Sequence, residues 1–129
     1  MNYYINKIVN TSFEQVVQQV TDGLKTEGFG ILSEINIDEK LKEKLGVYFR
    51  KYKILGACNP SYAYKALQLE DKIGVMLPCN VIIQETKDGA IEVAAVNPIV
   101  SMSGINNPKL MEIAGEIEKK LKIVIDKLN

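Results

Sequence analysis

The sequence predicts a single α+β domain, a curved antiparallel β-sheet with helices packed on one face. Three observations predict it. Two segments, Phe13 to Leu24 and Leu110 to Leu128, repeat apolar residues three and four apart in one stripe, as helices do when they bury one side. Elsewhere the period falls to two, as in Phe29, Ile31, Ser33, Ile35 and Ile37, which divides the side chains between the two faces of a strand. Lys87-Asp88-Gly89 separates an apolar β-branched run from an alternating one, a hairpin signal that makes its two strands antiparallel.

Taken in order, Tyr3 to Val9 reads as a first strand. Thr11-Ser12-Phe13-Glu14 then offers a capping box in which Thr11 and Glu14 satisfy free amides at a helix start. The helix carries Phe13, Val16, Val17, Val20 and Leu24 on its buried side, and Gly28 is placed to end it. The Phe29–Ile37 alternation gives a half-buried strand. Asp38 caps a short charged turn through Glu39 to Leu45, closed by Gly46, with Leu41 and Leu45 facing inward. Val47 to Ala57 is the next strand, with Arg50, Tyr52 and Ile54 on one face and Phe49, Lys51, Lys53 and Leu55 on the other, so the basic residues form no single patch. Gly56 marks a close backbone approach or bulge. Asn59-Pro60 opens a helix to about Leu69, asparagine as N-cap and proline where its missing N–H costs nothing. Val75 to Glu85 is strand-like but interrupted by Pro78, which places it at an edge or a bulge. Ile91, Val93 and Ala95 line the return strand. Asn97 to Asn107 is the one real loop, a lid or a connection, and Asn107-Pro108 opens a last helix of about 20 residues, roughly 30 Å long.

At 129 residues the chain is one domain with enough material for its own core. Sixteen basic side chains balance sixteen acidic ones and only Arg50 is arginine, which argues against nucleic acid. No run approaches the ~20 apolar residues of a membrane span and none resembles a signal peptide, so the expected location is cytoplasmic and no membrane partner is expected. The chain has no histidine. This excludes the Ser-His-Asp and Cys-His constellations, imidazole-based zinc sites and the usual neutral-pH general base.

Chemistry concentrates between Phe49 and Val81. Both cysteines lie there, each followed by asparagine and each beside a proline, Cys58-Asn59-Pro60 and Pro78-Cys79-Asn80. Cys58 precedes a helix start, where free amides favour an anion and would activate a thiolate; as a small residue between strand and helix it equally reads as a packed hydrophobe. Cys79 sits in an apolar run and reads chiefly as core. Asn59 reads as a cap, while Asn80, in a strand that disfavours asparagine, needs a buried partner or a ligand. Glu34 is either a surface residue or the carboxylate of a pocket. The candidate site is thus Cys58, Asn59, Cys79, Asn80 and Glu34. Three readings stay open: small-ligand binding or thiol chemistry in a pocket they line, a non-catalytic interaction module with structural cysteines, and soft-metal binding by the thiolates, copper(I) or zinc. No cofactor and no reaction is named by these residues.

Gly28-Phe29-Gly30, Glu34, Lys44-Leu45-Gly46, Phe49, Tyr52 to Pro60, Ala66-Leu67, Ile73-Gly74 and Leu77 to Val81 together resemble the bacterial and archaeal domain-of-unknown-function 302 family over nearly the whole chain. The resemblance implies a β-α-β4-α order related to the TATA-box-binding-protein-like fold, and a homodimer. It implies no reaction. One departure is Asn97-Pro98, where the family pattern has Asp-Pro.

Overall fold

In the computed structural model, which describes residues 1–129, five strands form one sheet: β1 (Tyr4–Val9), β2 (Gly30–Asn36), β3 (Tyr52–Cys58), β4 (Cys79–Glu85) and β5 (Ile91–Val96). Their order is β1-β5-β4-β3-β2 and every neighbouring pair is antiparallel. The helices are α1 (Phe13–Thr26), α2 (Ile37–Leu45), α3 (Pro60–Leu69), α4 (Pro98–Ser101) and α5 (Pro108–Asp126), with a 3-10 helix over Asp71–Met76. This is the expected α+β architecture. No helix is long and apolar enough to cross a membrane.

The core lies between one face of the sheet and the two long helices, with α1 against β2 and β4 and α5 against β1 and β5. Val16, Val20 and Leu24 of α1 and Ile117, Leu121 and Val124 of α5 meet Leu55, Val81, Ile83 and Val93 from the strands, all buried. Burying each such side chain contributes about 1.5–3 kcal/mol. Lys7, on the same face of β1, donates from Nζ to the carbonyls of Asp126 and Leu128, so a cation closes the C-terminal end of α5. A second small cluster, Ala66, Ile73, Met102, Leu110 and Ala114, ties α3, the 3-10 helix and the α4 region to the start of α5.

Several boundaries differ from the sequence reading. The capping box uses Ser12 and Gln15 rather than Thr11 and Glu14: Ser12 Oγ accepts from the Gln15 amide and Gln15 Oε1 accepts from the Ser12 amide. Both pairs fit the motif, and the later one sets the helix start. In β2 the register against β3 shifts between Ile31 and Ser33, a bulge that leaves Leu32 outside the alternation. Ile31 therefore faces the core while Ile35 faces away and Glu34 shares the core side. Ile37 begins α2 instead of ending β2, and Asn36 occupies the N-cap position while Asp38 Oδ1 accepts from the Tyr52 amide. β3 starts at Tyr52, not Val47. Residues 75 to 78 belong to the 3-10 helix and a connection with a cis Leu77–Pro78 peptide, so β4 begins at Cys79. The Asn97–Asn107 stretch is not all loop, since Pro98–Ser101 forms α4. Asn97 is buried, its Oδ1 accepts from the Ile99 amide to start α4, and Met102 is anchored in the second cluster.

Candidate functional site

The alternation of β4 divides the candidate residues. Cys79, Val81 and Ile83 point into the core, so Asn80, Ile82 and Gln84 point to the opposite face of the sheet. There the end of the 3-10 helix, Val75 and Met76, with Leu77, Pro78 and Ser101, forms a wall beside the strands. Between wall and sheet lies a groove of about 590 Å3, floored by Asn80, Ile82, Gln84, Glu92 and Ala94 and flanked by Tyr4 and Tyr52. Ten of its fifteen lining residues are hydrophobic, the mixture usual for sites that hold small organic molecules.

A line of polar side chains meets this floor at Gln84 and Glu92 and continues beyond the lining residues to Arg50 at one end and Asn6 at the other. Arg50 donates to Gln84 Oε1 (3.1 Å from Nη2), and its guanidinium lies over the Phe49 ring at 4.4 Å. Gln84 Nε2 donates to Glu92 Oε1 at 2.8 Å, and Asn6 Nδ2 donates to Glu92 Oε2 at 2.8 Å. The pairing Gln84↔Glu92 across β4 and β5 brings the first two together. The other two basic residues of the segment turn to the helix side: Lys51 pairs with Glu14 at 2.9 Å and Lys53 with Glu34.

The cysteines lie outside this groove, at the end of β3 and the start of the central strand β4. Cys58, half-buried, and Cys79, buried, line one cavity of only about 20 Å3 with Asn59, Tyr62, Ala66, Met102 and Ile117. That volume holds at most a water molecule. Burial pushes the Cys79 thiol up to about 11, and the nearby Cys58 sulfur acts in the same direction, so Cys79 stays a neutral thiol near pH 7. No group of three or more Cys, Asp and Glu side chains gathers in ligating range. Asn59 occupies the N-cap position of α3 but does not cap it; its Nδ2 donates instead to Glu27 O at the end of α1, against Gly28 (φ +87°), where a Cβ would stand 3.1 Å from that nitrogen. Asn80 finds no buried partner because it is not buried: it is exposed on the groove floor. Glu34 lies at the sheet edge, exposed and paired with Lys53.

The structure therefore brings Cys58, Asn59 and Cys79 together, places Asn80 in the groove and leaves Glu34 apart from both. Sequence reasoning missed Gln84, Glu92 and Asn6. Their signal was present as three polar residues at the outward positions of strands with apolar inward positions, but it required the order of strands to bring them into line.

The family described as "Domain of unknown function DUF302" matches residues 5–128. A protein of Aquifex aeolicus (strain VF5), described as an uncharacterized protein, is 25% identical over 125 residues, covering 95% of this chain and 81% of that one. The crystal structure of an uncharacterized conserved DUF302 protein from Bacillus stearothermophilus superposes with a TM-score of 0.94 at 31% identity, each chain covered in full. With the family pattern spanning all five strands and both long helices, the chain belongs to the DUF302 family.

Proposed function

We propose that this protein binds a small, largely apolar molecule in the groove on the open face of the sheet, oriented by a hydrogen bond to Asn80. The groove itself carries the reading: about 590 Å3 falls within the ~300–1,000 Å3 of small-molecule sites, and Asn80 offers one donor group and one acceptor from its floor. Ala94, between Asn80 and Glu92 on the floor, is the position from which to test it. Ala94→Trp fills the groove without touching the core, and should abolish ligand-induced changes at the Ile82 methyls when a panel of small aromatic and heteroaromatic compounds is screened by NMR. Cys58→Ser should leave them intact. A panel that perturbs Ala94→Trp as strongly as the parent protein would sink the reading.

A second reading keeps the thiols and rests on their sharing one cavity. In it Cys58, the more accessible of the two, is the reacting group and Cys79 its buried neighbour. Alkylation near neutral pH that fails to modify Cys58 in the folded protein removes this reading. We further propose that the protein is a homodimer in which a second copy covers the groove mouth, where Val75 is 84% and Tyr3 70% exposed. Sedimentation giving a monomer at micromolar concentration counts against it.

A further inference from the structure

We infer that the groove selects organic cations, molecules with an ammonium or guanidinium group on an apolar body, with the Glu92 carboxylate as their counter-charge. The inference rests on the ligand-binding reading of this groove and adds the charge of what enters it. Glu92 is the one ionic side chain among the lining residues. It is held by neutral donors, Asn6 Nδ2 on one oxygen and Gln84 Nε2 on the other, each at 2.8 Å, so its orientation is fixed while its charge is not cancelled by a paired cation. Each carboxylate oxygen has two acceptor sites, and one amide donor occupies only one of them. Arg50 makes the arrangement directional: by donating to Gln84 Oε1 from Nη2 and Nε, at 3.1 and 3.4 Å, it obliges Gln84 to present its NH2 group to Glu92. Arg50 is thus a positioning residue. Tyr4 and Tyr52 line the same groove, and aromatic faces attract a cation that a carboxylate holds nearby. Met76, Ile82 and Ala94 supply the apolar contacts for the rest of the molecule. An anionic ligand would meet Glu92 unpaired.

The test is an NMR titration of the intact protein with three probes of similar size, 2-phenylethylamine, 2-phenylethanol and phenylacetate, read at the Ile82 and Ala94 methyls in low and high salt. The amine should bind about tenfold more tightly than the alcohol, as expected for a charged hydrogen bond, and phenylacetate most weakly. High salt should shrink the amine's advantage and leave the alcohol unchanged. Glu92→Gln should erase the preference while retaining alcohol binding, and Arg50→Lys, which keeps the positive charge but loses the paired Nη2 and Nε donors that fix Gln84, should reduce the preference with alcohol affinity unchanged, a ratio that a purely structural role for Arg50 would not move. Equal affinities for amine and alcohol, or a preference that survives in Glu92→Gln, overturn the cation inference and leave the groove reading standing. If none of the three probes moves the Ile82 or Ala94 methyls, the cation inference and the groove reading beneath it fail together.

Discussion

Two neighbouring residues of β4, Cys79 and Asn80, have the same strand, the same hydrogen-bonded ladder and opposite surroundings. Cys79 is 5% exposed among core side chains, while Asn80 is exposed on the floor of a 590 Å3 groove. On the helix-covered face the cavity that the two cysteines share is only about 20 Å3. The open face is covered by neither long helix, and its polar groups Gln84 and Glu92 are half-buried beside the groove. A Cys-Asn pair that looks like one chemical unit in the sequence is therefore a seam between two environments, and the strand's period of two separates its halves.

The largest expected difference between the faces is in stability. Ile83→Ala, at a fully buried position, should cost about 2–5 kcal/mol, whereas Ile82→Ala on the groove floor should cost about 1 kcal/mol or less. Urea unfolding of the two variants measures both, and equal losses would break the comparison.

The second effect is a pH dependence. Burial holds the folded Cys79 thiol at about 11 against an ordinary 9.0. Below 9.0 the thiol is protonated in both states and its contribution to stability is complete. Between 9.0 and 11 the unfolded chain releases the proton first, so stability falls as pH rises, by about 2–3 kcal/mol across the window. Cys79→Ala should lack this part of the slope. A parent and variant with parallel stability curves from pH 9 to 11 would mean that the thiol is solvated.

How much of this was legible in the sequence follows the range of the interactions. The limits of α3 and the closing of α2 at Gly46 were readable because Asn-Pro and a left-handed glycine, here at φ +67°, are local signals. Gly56 was also readable as a close approach: a Cβ there would overlap Ser33 Oγ and stand 2.9 Å from Pro78 Cγ. The bulge at Leu32 was not, since a one-residue slip in β2 is decided by its pairing with β3. Nor was the destination of Asn59. Its sequence fits an N-cap, but tertiary packing places Glu27 O within 3.2 Å of Nδ2. Asn97 and Asn107 do cap their helices, so the same Asn-Pro motif serves two purposes in one chain.

Smaller effects sharpen the seam. Gly56→Ala, where the open face closes against Ser33 and Pro78, should cost about 1–3 kcal/mol by overpacking, part of it recovered by adding Ser33→Gly; full tolerance in thermal unfolding would show that the strands can separate there. Asn59→Ala should cost about 1 kcal/mol for the lost bond to Glu27 O. Asn59→Asp should be no better, because a carboxylate cannot donate to a carbonyl. The smallest effect is expected at Lys51 and Glu14, where pairing raises the lysine and lowers the glutamate but both groups are in solvent. Lys51→Gln should leave the denaturation midpoint unchanged within error.

The most direct test of the account is a high-resolution crystal structure of the protein as purified, without added ligand, inspected for density that no protein atom explains. The account predicts such density in the groove, over Ile82 and Ala94 and within hydrogen-bonding distance of Asn80. Density joined to Cys58 Sγ above an empty groove would contradict it.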